Sequence, residues 1–262
     1  MLHTSPSFVQ SGPSQLAGPQ IVVRDCSSVS LASQPHTLIG EEIHIWYANL
    51  STIAFDEEAF CKLLSTDEIG RMQRFHFQGD RRNFLFCRGM LRILLASYLG
   101  ASPAELLFAY SGHGKPSLAT SLGTVEFNLS HSNGNLLIAI TQRRKIGVDI
   151  ECLTRDVNVL EISQRFFSPT ESGAIENLPP AARHRAFFSC WTRKEAFVKA
   201  LGEGLSCPLD SFDVSIMPDE ESVGLVTRSG IQGQWVLHSF NQWRDCAAAI
   251  AVEFASKGLN PF

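Results

Sequence analysis

The chain contains no run approaching about 18 uninterrupted apolar residues and no basic segment followed by an apolar stretch at its start, so the sequence predicts neither a membrane span nor a secretory signal. A disulfide or zinc pattern is missing as well. Seven cysteines, at positions 26, 61, 87, 152, 190, 207 and 246, are odd in number and include no pair at metal-ligand spacing, which fits reduced thiols and a cytoplasmic setting. Strong basicity is absent: a formal net charge of −4 and a pI near 6.1 exclude a general nucleic-acid binder and leave room only for a local basic site. What is present is 44% hydrophobic content over 262 residues, enough for one large core or two modest ones.

Residues 1–40 hold eight serines, four prolines and three glycines against two charged residues, Arg24 and Asp25, the composition of a disordered tail. The sequence therefore predicts that the fold starts near Glu41 and that removing residues 1–38 leaves activity nearly intact. Ile43–Ala48 reads as a strand, Thr66-Asp67-Glu68 as a helix start, and 80–99 as a long helix with Gly100 as its stop. Strands are expected at 106–110, Val125–Leu129 and Leu136–Thr141, with a fourth ending at Glu151. The pattern then starts over. Ser168 caps a helix that has Pro169 at its first position, a long helix covers about 183–201, and strands are expected at 212–216, 224–226, 236–240 and 247–252. Helices followed by strands, twice, predict an α+β fold of two similar halves, 41–151 and 152–255, with a short tail at 256–262.

Three places carry candidate chemistry. Gly147-Val148-Asp149-Ile150-Glu151 sets two carboxylates two residues apart, a spacing that points both to one face of a strand. A solvated strand end beside Arg143, Arg144 and Lys145 is the bland alternative. On the helix through Trp191-Thr192-Arg193-Lys194-Glu195-Ala196-Phe197-Val198-Lys199, Lys194 falls in the middle of the apolar stripe and Glu195 and Lys199 on its shoulder. A surface ion pair between Glu195 and Lys199 leaves Lys194 unexplained, whereas a cleft binding phosphates and a metal would use all three. Lastly, Arg71, Arg74, Arg81, Arg82, Arg88 and Arg92 fall within 22 residues that contain one acid, Asp80, which predicts a local anion site in an acidic protein. Some of these are expected only to cover the core edge. The Ser130-His131-Ser132 run is expected in a turn after a strand, and Lys115 in a Gly-Lys-Pro loop; each is weak alone.

Taken in order, Gly114-Lys115-Pro116, Phe127-Asn128-Leu129-Ser130-His131-Ser132, Gly147–Glu151, Phe166-Phe167-Ser168-Pro169-Thr170-Glu171 and Trp191–Leu205 resemble the signature of the Sfp-type 4′-phosphopantetheinyl transferases, in particular cyanobacterial, heterocyst-associated members. The resemblance covers roughly 41–255. It implies two α/β halves in a pseudo-twofold arrangement within a monomer, coenzyme A in the cleft between them, and transfer of its 4′-phosphopantetheine to a serine of an acyl or peptidyl carrier protein. Asp149, Glu151 and Glu195 match the family's Mg²⁺-binding acids. Ser130, His131, Lys115, Lys199 and Arg71 match coenzyme-binding positions, with Lys199 and Glu195 as the catalytic pair. Glu195 is the candidate general base, acting directly or through a water, and lowering of the attacking group's pKa by Mg²⁺ is the alternative. Arg81, Arg82 and Arg88 are left unassigned, and Glu68 stands where some relatives carry a basic residue. Neither a membrane nor a nucleic acid is expected as partner. A metal-dependent phosphodiester hydrolase and a non-catalytic coenzyme A or carrier-binding module are the rival readings.

Overall fold

The computed structural model describes residues 20–29, 35–119, 124–202, 204–223, 226–227 and 233–254. In the first half, strands β1 (Ile21–Asp25) and β2 (Ile43–Asn49) precede helices α1 (Glu57–Cys61), α2 (Thr66–Gln73) and α3 (Gln78–Leu99). A small hairpin, β3 (Phe108–Tyr110) and β4 (Pro116–Leu118), leads to β5 (Val125–Ser132) and β6 (Asn135–Gln142). The second half runs β7 (Ile146–Cys152), α4 (Val159–Phe166), α5 (Pro169–Glu176), α6 (Pro180–Leu201), the short strands β8 (Phe212–Asp213), β9 (Ser222–Val223) and β10 (Val226–Thr227), then β11 (Gln234–Phe240) and β12 (Cys246–Phe254).

Both halves follow one plan. A strand leads into three helices, two antiparallel strands return, and the last lies between the first and the other, giving β2-β6-β5 within one sheet and β7-β12-β11 within the second. Strand alternation builds the layers. Trp46, Leu136, Ile138 and Ile140 face α3, while their neighbours Ile43, Ile45, Leu137 and Ala139 meet Val148, Ile150, Ala248 and Ile250 of the other sheet. On the far side Ala247, Ala249 and Ala251 lie under α6. Each long helix ends on a glycine in the left-handed conformation, Gly100 and Gly202, where a side chain would be strained.

Three expectations are corrected here. Ile21-Val22-Val23 pairs in parallel with β2, and Cys26 and Leu38 are buried, so the fold begins well before Glu41: a short β-branched run found an edge within a segment of otherwise tail-like composition. Of the expected tails, 1–40 and 256–262, residues 1–19, 30–34 and 256–262 lie outside the described residues. β7 belongs to the second sheet, so the halves divide at the 143–145 turn and not at 151. The expected strand at 212–216 shrinks to Phe212–Asp213, and that at 224–226 lies partly outside the described residues. Among the described residues no helix is long and apolar enough to cross a membrane.

Candidate active site

The two sheets meet where β5 runs beside β7, and side chains bridge them. Asn128 Oδ1 accepts from the Val148 N–H (2.9 Å), Ser130 Oγ donates to Asp149 Oδ1 (2.8 Å), and Ser132 Oγ donates to Glu151 Oε2 (2.9 Å). Ser130 and His131 are thus strand residues. The turn comes later, at Asn133-Gly134, whose positive φ angles (46° and 78°) make the tight two-residue hairpin that the sequence Asn-Gly favours.

Gly147 sets the distance from β7 to α6. A Cβ there would lie 2.0 Å from the Ala196 carbonyl oxygen and 2.4 Å from the Ala200 nitrogen, so only glycine allows this approach. The rotation of α6 is fixed by Lys194, which is fully buried and ion-paired with Glu171 (2.8 Å) while donating to the Leu209 and Phe212 carbonyls (2.6 Å each). Glu171 also completes the capping box with Ser168. The lysine expected at the phosphates therefore has a structural role: its presence on the core face reflects a satisfied internal partner. Because α6 is held this way, Glu195 and Lys199 turn toward β5 and β7.

Lys199 does not pair with Glu195. Its ammonium donates to Asp149 Oδ1 (2.6 Å) and Ser130 Oγ (2.9 Å). Asp149 Oδ2 remains buried with no hydrogen-bond partner. Glu151 is ion-paired with Arg155 (2.9 Å). Burial raises the pKa of Glu195, Asp149 and Glu151 add to the shift, and Lys199 opposes it. Burial likewise lowers the pKa of His131, with the Lys199 charge adding to the effect against Glu151 and Asp149. The three acids stand close enough to repel one another, yet among the described residues no three metal-ligating side chains converge into a ready-made cage.

From this junction a cleft of about 390 Å³ extends toward the first half. Its described lining includes four cations, Arg71, Arg88, Lys115 and Lys199, and no carboxylate, which makes it an anion site inside an acidic protein. Lys115 lies on the wall, its ammonium donating to the carbonyls of Lys199 (2.7 Å), Ile146 (3.1 Å) and Ala200 (3.4 Å). The early arginines sort by partner. Arg92 is buried against Glu68 (2.7 Å) and the Pro103 and Leu106 carbonyls, Arg82 pairs with Glu57, and Arg81 donates to the Phe75 carbonyl. Arg88 is different: it is 6% exposed, near Glu68 (3.4 Å), and its Nη1 is buried without a partner at the cleft wall. Arg71 and Arg88 lie over the same Phe84 ring. Only the fold shows which of the six arginines reach the cleft. Glu68 is a buried structural acid that caps α2 through Ser65 and holds Arg92.

Comparison with known proteins follows the same division. The family model described as the 4′-phosphopantetheinyl transferase superfamily matches residues 145–251, and one described as 4′-phosphopantetheinyl transferase, N-terminal, matches residues 53–143. The chain is 34% identical over 218 residues to the 4′-phosphopantetheinyl transferase HetI of Nostoc sp., covering 82% of this chain and 90% of that one. It is 32% identical over 164 residues to the 4′-phosphopantetheinyl transferase Sfp of Bacillus subtilis (63% and 71% covered), and 32% over 210 residues to a phosphopantetheinyl transferase of Thraustochytrium sp. (74% and 72%).

Proposed function

The chain belongs to the 4′-phosphopantetheinyl transferase superfamily, and from that premise we propose that it moves the 4′-phosphopantetheine arm of coenzyme A onto a serine hydroxyl of an acyl or peptidyl carrier protein. The observation that carries this reading is the junction of Lys199, Ser130 and Asp149, where a cationic cleft ends at a group of acids that includes the buried, unpartnered Asp149 Oδ2.

The coenzyme's phosphates occupy the cleft. Arg88 and Arg71 take the nucleotide end, Ser130 and His131 lie along the chain of phosphates, and Lys199 neutralises the pyrophosphate as charge builds on the leaving group. The carrier serine attacks the phosphorus that bears the pantetheine arm, the bond to the bridging oxygen breaks, and adenosine 3′,5′-bisphosphate departs. Glu195 takes the serine proton. It does so directly or through a water. The donors that would hold a hard divalent cation are the orphaned Asp149 Oδ2 with the neighbouring Glu195 and Glu151 carboxylates, which form no ready-made cage without it. Asp149, Glu151 and Glu195 are the residues that would hold Mg²⁺, which would supply charge neutralisation for the transferred group.

Coenzyme consumption distinguishes the readings. With Mg²⁺ present, coenzyme A is expected to be consumed only when apo carrier is added, in a ratio of one to one. Consumption without carrier supports a hydrolase, and binding of coenzyme without consumption under either condition supports a non-catalytic module.

A further inference from the structure

Resting on the reading of the cleft just given, we propose that Lys115 is a positioning residue that fastens the end of α6 to the first half and so holds Lys199 in register with Asp149 and Ser130.

The argument starts from donors and acceptors. A lysine ammonium has three hydrogens and no acceptor, and here all three are directed at carbonyls of the second half: Lys199 and Ala200 at the end of α6, and Ile146 at the start of β7. The last carbonyls of a helix have no partner within it and carry the negative end of its dipole, so a cation is the natural cap. Burial lowers the Lys115 pKa to about 8, with Glu126 on β5 opposing and Lys145 before β7 reinforcing, so the ammonium form prevails at neutral pH. An ammonium committed to three carbonyls has no hydrogen left for a phosphate.

The loop that carries Lys115 is built to deliver it. Ser111 Oγ accepts from the Lys115 and His113 amides (3.1 and 3.3 Å), the Ser111 amide donates to the Lys115 carbonyl (3.0 Å), and the Gly114 amide donates to the Ser111 carbonyl (2.9 Å). The same loop is docked on the segment after α6. A Cβ on Gly204 would lie 2.8 Å from His113 Cβ, and Ser206 Oγ is 3.4 Å from His113 Nε2. Loop, α6 end and β7 start therefore form one seam, and the Lys199 ammonium leaves that seam to reach Asp149 Oδ1.

The test compares Lys115→Met and Lys115→Arg with the unaltered full chain, using Mg²⁺, an apo carrier and either coenzyme A or its form without the 3′-phosphate. A clamp predicts that Lys115→Met lowers kcat on the order of tenfold to a hundredfold, as expected for a displaced catalytic group, by the same factor with both coenzymes and with KM for the coenzyme little moved. Lys115→Arg, which retains charge and donors, recovers part of the loss. Hydrogen exchange without any substrate supplies the independent reading: the Gly202 amide, bonded to Val198, exchanges faster in Lys115→Met while β6 keeps its protection. A rise in KM with kcat unchanged, confined to the coenzyme that bears the 3′-phosphate, would show a direct phosphate contact and overturn the clamp. Unaltered exchange at Gly202 overturns it as well. If the unaltered protein fails to modify the carrier, the functional reading falls, and the exchange result still decides the clamp.

Discussion

Lys199 and Asp149 form an ion pair of 2.6 Å in which Oδ1 alone takes part, and Oδ2 of the same carboxylate stays buried and unpartnered. One oxygen is thus tied to the cleft's lysine, and the other is the atom proposed above to meet a cation. Asp149→Asn keeps an acceptor for Lys199 and Ser130 but removes the charge. Carrier modification is expected to fall at least about a hundredfold, the scale of losing a group that stabilises charge in the transition state. Urea unfolding should register a cost near 1 kcal/mol, because the Lys199 side chain is 29% exposed and water can replace its partner.

Glu195 offers a sign test. Its folded-state pKa is raised by burial and by Asp149, so its favourable contribution is full below the unfolded value of about 4.3 and is lost as pH rises through the folded value. Glu195→Gln removes that penalty. The variant should be inactive yet more stable, with a gain in Tm that grows between about pH 4.3 and neutrality. Added Mg²⁺ should raise the Tm of the unaltered protein more than that of the variant, since a ligand stabilises only the form that binds it. A Tm difference that shrinks as pH rises would contradict the crowding of these acids.

Glu68 holds the arginine side of the cleft. Its carboxylate is 2% exposed, caps α2, and meets Arg92 at 2.7 Å and Arg88 at 3.4 Å. Glu68→Gln should cost about 3–5 kcal/mol in chemical denaturation, the typical result of leaving buried charge uncompensated. Adding Arg92→Met should recover part of it.

Arg88 and Arg71 should separate by exposure. Arg88→Met removes a buried guanidinium with an unpartnered Nη1, and KM for coenzyme A should rise on the order of tenfold to a hundredfold with kcat little changed. Arg71 is exposed, and Arg71→Ala should raise KM by no more than about tenfold. Steady-state kinetics at saturating carrier checks both.

Removing residues 1–38 strips β1 from its place beside β2 and uncovers the surroundings of the buried Cys26 and Leu38. The shortened chain should lose about 2 kcal/mol or more in denaturant unfolding, on the usual value of one buried apolar side chain. Unchanged stability would return the fold's start to Glu41.

Much of this was legible in sequence because the cues were local. The 3.6-residue stripe of α3, the Ser168-Pro169 helix start and the two-residue spacing of Asp149 and Glu151 each depend on neighbours in the chain. What stayed hidden depends on partners far away. Lys194 looked functional because its counter-ion Glu171 lies on another helix, and Arg92 looked like part of an anion site because Glu68 is 24 residues distant. β1 is hidden in sequence because five residues cannot outweigh the composition of forty, and the half to which β7 belongs is decided by its pairing with β12, near the other end of the chain.

The central claim is that the acids beside Lys199 serve transfer of the pantetheine arm to a carrier. The intact mass of an apo carrier, taken after incubation with coenzyme A, Mg²⁺ and this protein, tests it most directly. The mass of one phosphopantetheine arm should appear on a single serine, should be absent with Glu195→Gln, and should not appear when that serine is replaced by alanine. A carrier whose mass stays unaltered while the folded protein binds coenzyme A, or one modified equally well by Glu195→Gln, would contradict the account.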